Sequence, residues 1–535
     1  MSFNPEPQRR TTATCWSIRW DEQQAARAYA QGWWGRETCA DALRASAADD
    51  PMRVVLRQGE TALSAGSLIA ASERLAGALL RRFDPGSVVS FMLPNWHEAA
   101  VIYMAATMAG MVANPILPSL REHDLRFILQ DAGTCIAFIP QQFRGHDYAE
   151  MLQAACSDLP SPPLAATVRG GTDAQSFESL ASEAGSASLP QVDPDDVRML
   201  MYTSGTTGRP KGVLHTHNSL GALIRQIGRH WLVEPGDRFL VASPISHIGG
   251  SIYAFECPAM LGTAAVLMES WDAAVAVELM QRHRITHMAG ATPFLRQLLD
   301  VARAAGISLP DLKVFICGGA SVPPALIREA TDHFSNARVC RVYGSTEVPV
   351  TTVGVLDRGH IDSAAETDGR PGLADIRLAP DGEIRAKGPQ MLLGYINPAD
   401  EAGSFDEDGF FRTGDQGRWE NGDHLVVTGR IKDLIIRNGE NIAPKEIEDL
   451  LLGHPDVAEI AIVGVPDAKT GERAVAVVVP AAGATPDVPA LAAHLAGAGV
   501  AKFKYPESVA LWDSLPKNDA GKVLKQAIRE RLLRG

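Results

Sequence analysis

The chain has 535 residues, too many for one ordinary hydrophobic core and enough for several subdomains. With 46% hydrophobic and 21% charged residues its composition is that of a globular protein. A formal charge of -13 excludes the basic footprint of a nucleic-acid binder, but leaves room for anionic small ligands, which need only a local positive cluster.

The amino terminus, MSFNPEPQRRTTATCWSIRW, lacks the apolar core of a signal peptide. The run SVVSFMLP from Ser87 to Pro94 has the β-branched, apolar character of a buried strand. The longest apolar stretch, Ala99 to Ala113, is shorter than the ~20 residues of a membrane span, and reads as a buried helix ending before Asn114-Pro115. Further strands are expected at Cys135 to Pro140, Arg238 to Pro244, Leu312 to Gly319 and Ala337 to Gly344. Helices are expected at Ala274 to Arg282 and Pro324 to His333. This alternation predicts α/β architecture with largely parallel sheets, whose ligands collect beyond the carboxyl ends of the strands. Ala165 to Pro194 is Gly/Ser/Asp-rich and reads as an exposed connection.

From Asp381 the pattern changes to short alternating strands with Gly turns, a small β subdomain. After Arg430 a compact tail follows. It has strands near Glu459 to Val465, Ala474 to Val479 and Ser508 to Trp512, and helices at Val488 to Ala496 and from about Lys522 to Leu533. The seven cysteines (Cys15, Cys39, Cys135, Cys156, Cys257, Cys317, Cys340) show no CxxC or zinc spacing, so buried free thiols in a reducing, cytoplasmic setting are expected.

The segment MYTSGTTGRPKG, Met201 to Gly212, concentrates glycines and hydroxyls and adds a lysine, a combination suited to a polyphosphate. It is not a Walker loop. Counting from Gly205, the second required glycine falls on Pro210, and Lys211 is followed by Gly212. Alone, the segment reads equally well as a surface loop.

Taken with YGSTE (Tyr343 to Glu347), RTGD (Arg412 to Asp415), GRIKDLIIRNGENIAPKEIE (Gly429 to Glu448) and PKNDAGK (Pro516 to Lys522), it closely resembles the adenylate-forming superfamily of acyl-CoA synthetases, adenylation domains and luciferase. The resemblance runs from about Asp41 to the end. It implies an α/β fold: a large N-terminal domain of stacked mixed sheets with helices and a small β subdomain, and a small mobile α+β C-terminal domain. The implied division is 1–430 for acid and ATP binding, a hinge at 431–433, and a C-terminal domain at 434–535. In that family ATP and a carboxylic acid give an acyl-adenylate and pyrophosphate; the small domain then rotates, and a thiol, usually of CoA, attacks.

Residue by residue, the resemblance assigns Thr203, Ser204, Gly205, Thr206, Thr207 and Gly208 to the β- and γ-phosphates, with Lys211 neutralising pyrophosphate charge. Glu347, aided by Thr206, is the expected Mg²⁺ ligand, a hard cation needing a carboxylate; a helix-start cap is the plainer alternative. Tyr343 and Gly344 would lie against adenine with Gly319 and Ala320, and Thr346 would contact the α-phosphate. Asp415, aided by Arg430, would accept the ribose hydroxyls, although Gly-Asp is also ordinary turn chemistry. Lys432 falls at the hinge, Gly439 in a turn facing the pantetheine channel, and Lys522 at the lysine that bridges acid and α-phosphate. Lys517 and Lys525 are nearby decoys. Ser345 and Glu507 depart from common family residues without disturbing this chemistry.

The expected acid pocket comprises His247, Ile248, Gly249, Gly250, Ala291, Gly318, Ser345 and Val350. Relatives that activate amino acids carry an aspartate where Ile248 stands, so a monocarboxylic acid with an uncharged body is expected. The surrounding sequence is most similar to cyclohexanecarboxylate–CoA ligases and medium-chain acyl-CoA synthetases, with a benzoate-type acid as alternative. No carrier domain follows Lys522, which favours free CoA over an acyl-carrier protein. From another class, a non-catalytic ATP-binding protein would keep the fold without Lys211, Glu347, Asp415 and Lys522. The expected partners are the acid, ATP and CoA, with no nucleic acid and no membrane span; a homo-oligomer stays open.

Overall fold

Two parallel sheets arise from the β-branched runs, and each acquires one antiparallel edge strand. The computed structural model describes residues 8–14, 16–170, 175–183, 188–203, 209–319, 322–467, 469–518 and 521–534. The first sheet has six strands in the spatial order Leu164–Val168, Thr134–Pro140, Val88–Phe91, Val112–Pro115, Val197–Thr203 and Lys211–Thr216. Only the last is antiparallel, pairing Thr203 with Lys211. The second has seven, in the order Arg338–Arg341, Val314–Cys317, His287–Gly290, Arg238–Val241, Ala264–Leu267, Val54–Gln58 and Thr61–Ser64. All its pairs are parallel except the closing Val54–Gln58 with Thr61–Ser64.

One hydrophobic cluster joins both sheets, packing Val89, Phe138 and Met199 of the first with Leu56, Phe239 and Val314 of the second. Helix His97–Met108 belongs to it and buries Glu98 through Met108, as a helix apolar all round must. The expected helix at Ala99 to Ala113 is therefore shorter: Gly110 turns the chain at φ +64°, and Val112–Pro115 becomes a buried central strand. A short apolar run fits either element, and pairing between Val88–Phe91 and Val197–Thr203 decides for strand. The expected open connection from Ala165 to Pro194 also contains more order. Leu164–Val168 is an edge strand on Thr134–Pro140, and Phe177–Ser182 is a helix.

The β subdomain is a four-stranded antiparallel meander of Asp375–Leu378, Glu383–Lys387, Phe411–Glu420 and His424–Arg430. The carboxyl-terminal unit builds its own core around Ile435, Ile447, Ile462, Val478 and Leu491. Its sheet takes the order Glu440–Ile442, Ile435–Arg437, Gly471–Pro480, Val457–Asp467, with Ser508–Leu511 also on Gly471–Pro480. The final helix is Lys525–Arg534, so Lys522 precedes it rather than starting it. Six described cysteines are free; Cys39, Cys257, Cys317 and Cys340 are buried, whereas Cys135 and Cys156 are only half-buried. Cys15 lies outside the described residues. Among the described residues no helix is long and apolar enough to cross a membrane.

Candidate active site

The carboxyl ends of parallel strands converge here. Strand Val314–Cys317 runs into Gly318 and Gly319, and strand Arg338–Arg341 runs into Tyr343. Thr352 holds Tyr343 from both sides: the Tyr343 N–H donates to Thr352 Oγ1 at 2.8 Å, and the Thr352 N–H donates to the Tyr343 carbonyl at 3.0 Å. The Tyr343 hydroxyl donates to Asp415 Oδ2 at 2.7 Å, while Arg430 Nε lies 3.1 Å from Oδ1. Asp415 and Arg430 face one another across the meander pair. Burial and the Asp415 charge push the Tyr343 phenol up, so it remains a donor. Gly319 takes φ +81° and has open space where a side chain would begin. Gly318 could not carry one, since its Cβ would meet the Val342 carbonyl at 2.9 Å.

Thr203 and Lys211 are paired at the end of the antiparallel edge, on either side of the hydroxyl-rich segment in sequence. Ser204, Gly205, Thr206, Thr207, Gly208 and Ala320 lie outside the described residues. Lys211 Nζ donates to the Asp400 carbonyl at 3.2 Å and stands 5.2 Å from the Tyr395 ring centre. The Tyr395 hydroxyl donates to Glu347 Oε1 at 3.2 Å. Burial and Glu347 together push the Tyr395 phenol up and keep it protonated. Tyr395 thus brings Lys211 and Glu347 together. Next to Glu347, the Thr346 carbonyl accepts from buried His215 Nε2 at 2.7 Å, and burial pushes that imidazole down to about 4. A neutral ring is the right donor for a carbonyl in this position.

Among the residues expected to border the acid, His247 takes the N-cap position of the short helix Ile248–Ser251 without a side-chain cap bond. Its Nε2 is buried without a partner among the described residues, and burial lowers its pKa. Gly250 is required, because its Cβ would fall 2.0 Å from the Pro244 carbonyl oxygen; Gly249 faces open space. Asn95 sets this loop, its Oδ1 accepting from the Ile245 N–H at 3.0 Å and its Nδ2 donating to the Ser243 carbonyl at 3.0 Å. Val350 adopts φ +45°, a strained value for a β-branched residue. Gln226 Nε2 fixes its carbonyl at 2.8 Å, and its N–H lies where a Cβ on Gly344 would intrude at 2.6 Å. Ser345 folds back to cap the Val348 N–H at 3.1 Å.

Lys522 enters from the small domain. Its loop is closed by the Lys517–Val523 bridge and by Asn518, whose Oδ1 accepts from the Lys522 N–H at 2.9 Å. Gly521 lies near Ala291 and Pro293: a Cβ added there would stand 3.7 Å from each. Burial first, then the positive Arg430, push the Lys522 ammonium down to about 8, with Asp415, Lys432 and Asp433 also within its field. No salt bridge engages Lys522 among the described residues. Lys517 and Lys525 are each paired at 2.6 Å, with Glu459 and Glu448 of the small domain.

Family models of AMP-binding enzymes match residues 43–396, and of the AMP-binding enzyme C-terminal domain residues 446–522. The chain belongs to the AMP-binding enzyme family. This AMP-binding enzyme is 31% identical to the medium-chain fatty-acid–CoA ligase of Escherichia coli, over 97% of the chain and 94% of that enzyme. It is 32% identical to a 3-[(3aS,4S,7aS)-7a-methyl-1,5-dioxo-octahydro-1H-inden-4-yl]propanoyl:CoA ligase of Rhodococcus jostii, over 83% and 89%. Its fold is similar to ATP-bound MatB of Rhodopseudomonas palustris, with a TM-score of 0.81 at 28% identity over 92% and 98%.

Not every expected residue of the AMP-binding enzyme meets at this cleft. Lys432 is exposed on the 3-10 turn Ile431–Asp433. Gly439 is exposed in the Asn438–Gly439 hairpin turn, where both residues take positive φ, and the turn is tied to Thr470 within the small domain. Glu507 is spent on Arg437 at 2.6 Å. The motifs did not point to Tyr395, Asn518, Asn95 or His215. Tyr395, Asn95 and His215 act through partners distant in sequence, whereas Asn518 acts only four residues away, within the loop of Lys522.

Proposed function

We propose that the chain is an AMP-forming acid–CoA ligase acting on a monocarboxylic acid with a cyclic or medium-chain apolar body. The observation that carries it is the position of Lys522, an ammonium in no salt bridge among the described residues, buried within the field of Asp415 and Arg430 while the preceding Gly521 lies near Ala291. Such a cation can hold a carboxylate in line with an α-phosphate and meet the charge that gathers as the phosphorus becomes pentavalent. Asp415 takes the ribose diol, exchanging its Tyr343 contact for the sugar, and Tyr343 and Gly319 border the adenine. Lys211 leaves the Asp400 carbonyl for the β- and γ-phosphates.

Glu347 suits Mg²⁺. One of its oxygens receives the Tyr395 hydroxyl, the other is without a partner among the described residues, and no cage of three such ligands surrounds it. A single carboxylate completed by substrate phosphates is the usual Mg²⁺ arrangement. The ion, when bound, would neutralise charge on the phosphate oxygens. Residues 1–430 and 434–535 are the two bodies, and 431–433 is the pivot about which the second brings CoA in place of Lys522.

Ile248, Gly249, Ala291 and Val350 supply no charge partner for an acid's body, which supports the apolar substrate; the named relatives act on a medium-chain and a fused-ring acid. The test is a panel of cyclohexane, medium-chain, benzoate-type and amino acids assayed for AMP formation with CoA or with an acyl-carrier protein. AMP formed with an apolar acid and CoA is the expected result. Release of pyrophosphate with amino acids alone, or with none, overturns it.

A further inference from the structure

The family model begins at residue 43, yet the segment before it reaches the phosphate side of the cleft. Strands Arg9–Thr11 and Ser17–Arg19 form a hairpin that is fastened to the segment carrying Tyr395 in three ways. Ile18, fully buried, packs with Leu200, Leu214 and Leu393. The Arg19 N–H donates to the Leu393 carbonyl at 2.7 Å. Finally, Arg9 and Arg19 both meet Glu401 Oε2, at 2.6 and 3.4 Å, and the Arg19 guanidinium also stacks 3.9 Å from the Phe405 ring.

Glu401 is buried, and its other oxygen accepts from the Tyr395 N–H at 3.4 Å. It reaches that position because residue 394 is glycine. A Cβ there would fall 2.5 Å from Glu401 Oε1, and Gly394 takes φ +124°. A buried carboxylate stripped of its cations has to move toward water or take up a proton, and either change releases its hold on the neighbouring backbone. Tyr395 in turn touches Glu347 through its hydroxyl and Lys211 through its ring, while Lys211 donates to the carbonyl of Asp400, the residue beside Glu401.

We propose that the amino-terminal hairpin is a brace for the triphosphate subsite, with Arg9 and Arg19 as positioning residues that act through Glu401 and Tyr395. The inference rests on the reading above that Lys211 and Glu347 serve MgATP. The test is calorimetric binding of MgATP to the full chain without acid, alongside KM for the acid and thermal unfolding. Arg9→Gln/Arg19→Gln should weaken MgATP binding about fivefold or more, the scale of one lost contact, and leave the acid KM within about twofold. Arg9→Lys/Arg19→Lys should restore most of the affinity. Arg19→Met, which keeps the stem on Phe405, serves if the double variant is unstable, and should weaken MgATP binding in the same direction.

Tyr395→Phe should also weaken binding, and combined with the arginine variants its effect should be less than additive, as for residues acting in one chain. Additive losses overturn the brace, as do unchanged MgATP affinity in the arginine variants or a parallel loss of ATP and acid binding with early unfolding. Glu347→Gln is the separate control. If it binds MgATP as the parent does, the metal assignment fails, and the arginine–Tyr395 coupling still decides the brace through Lys211.

Discussion

Three lysines, Lys517, Lys522 and Lys525, stand close together in sequence, and their surroundings give them different jobs. Two neutralise glutamates of their own domain; the third is pushed to about 8 where it meets the large domain. A lysine whose pKa is lowered from 10.5 on docking binds fewer protons in the docked state. Docking therefore strengthens as pH rises through that interval, while the charge that adenylation needs in our reading is lost. We expect kcat/KM for acid-dependent pyrophosphate release to fall above about pH 8, and Lys522→Arg to carry activity to higher pH. Lys522→Ala should lower adenylation roughly a hundredfold and leave thioester formation from synthetic acyl-adenylate near the parent rate. Lys517→Ala and Lys525→Ala should do neither. A flat alkaline profile in the parent would remove Lys522 from the proton balance. The motif around Lys522 was legible because it is local. Asn518, which closes its loop, was not singled out, since a turn asparagine looks the same whether or not it aims a neighbour.

At the scale of elements, the strands that end at the cleft were readable from β-branched runs, but Val112–Pro115 was not. An apolar run of that length carries no period to tell helix from strand until its partners are known. A second unread feature is the π-helical turn Ile252–Glu256, which follows the helix Ile248–Ser251. It presents Glu256, wholly buried, to Arg198 at 2.7 Å and to the Tyr103 hydroxyl, while Arg198 Nε donates to Thr107 at 3.2 Å. Arg198 is the second residue of the strand Val197–Thr203, so the pair ties the turn after helix Ile248–Ser251 to the strand that pairs with Lys211. Removing one partner leaves a charge without water. Glu256→Ala should cost about 3–5 kcal/mol of unfolding free energy in urea, whereas Arg198→Met/Glu256→Leu should be neutral or stabilising. A small loss in the single variant, under about 1 kcal/mol, would mean that water reaches the pair.

For the whole molecule, sequence spacing gave the order of the two bodies but could not say how they face each other, because orientation depends on a few contacts between distant surfaces. Here the small domain presents Lys522 rather than the Asn438–Gly439 turn to the cleft, with Gly521 on Ala291 and Pro293 and Ala443 near Gly429. The acyl transfer step, in our reading, needs the opposite face, and the chain between them is the single 3-10 turn Ile431–Asp433. A rotation of that kind must be absorbed by backbone dihedrals at those few residues. Lys432→Pro fixes φ near -65° at the centre of the turn and so removes one of the few dihedrals the rotation can use. Acyl-adenylate should then form at a rate close to the parent's, while transfer to CoA falls sharply, in contrast to Lys522→Ala, which impairs only the first step. Single-turnover measurement of each half-reaction distinguishes the cases. Equal loss of both steps would indicate a misfolded junction, and an undiminished transfer rate would place the pivot outside residues 431–433.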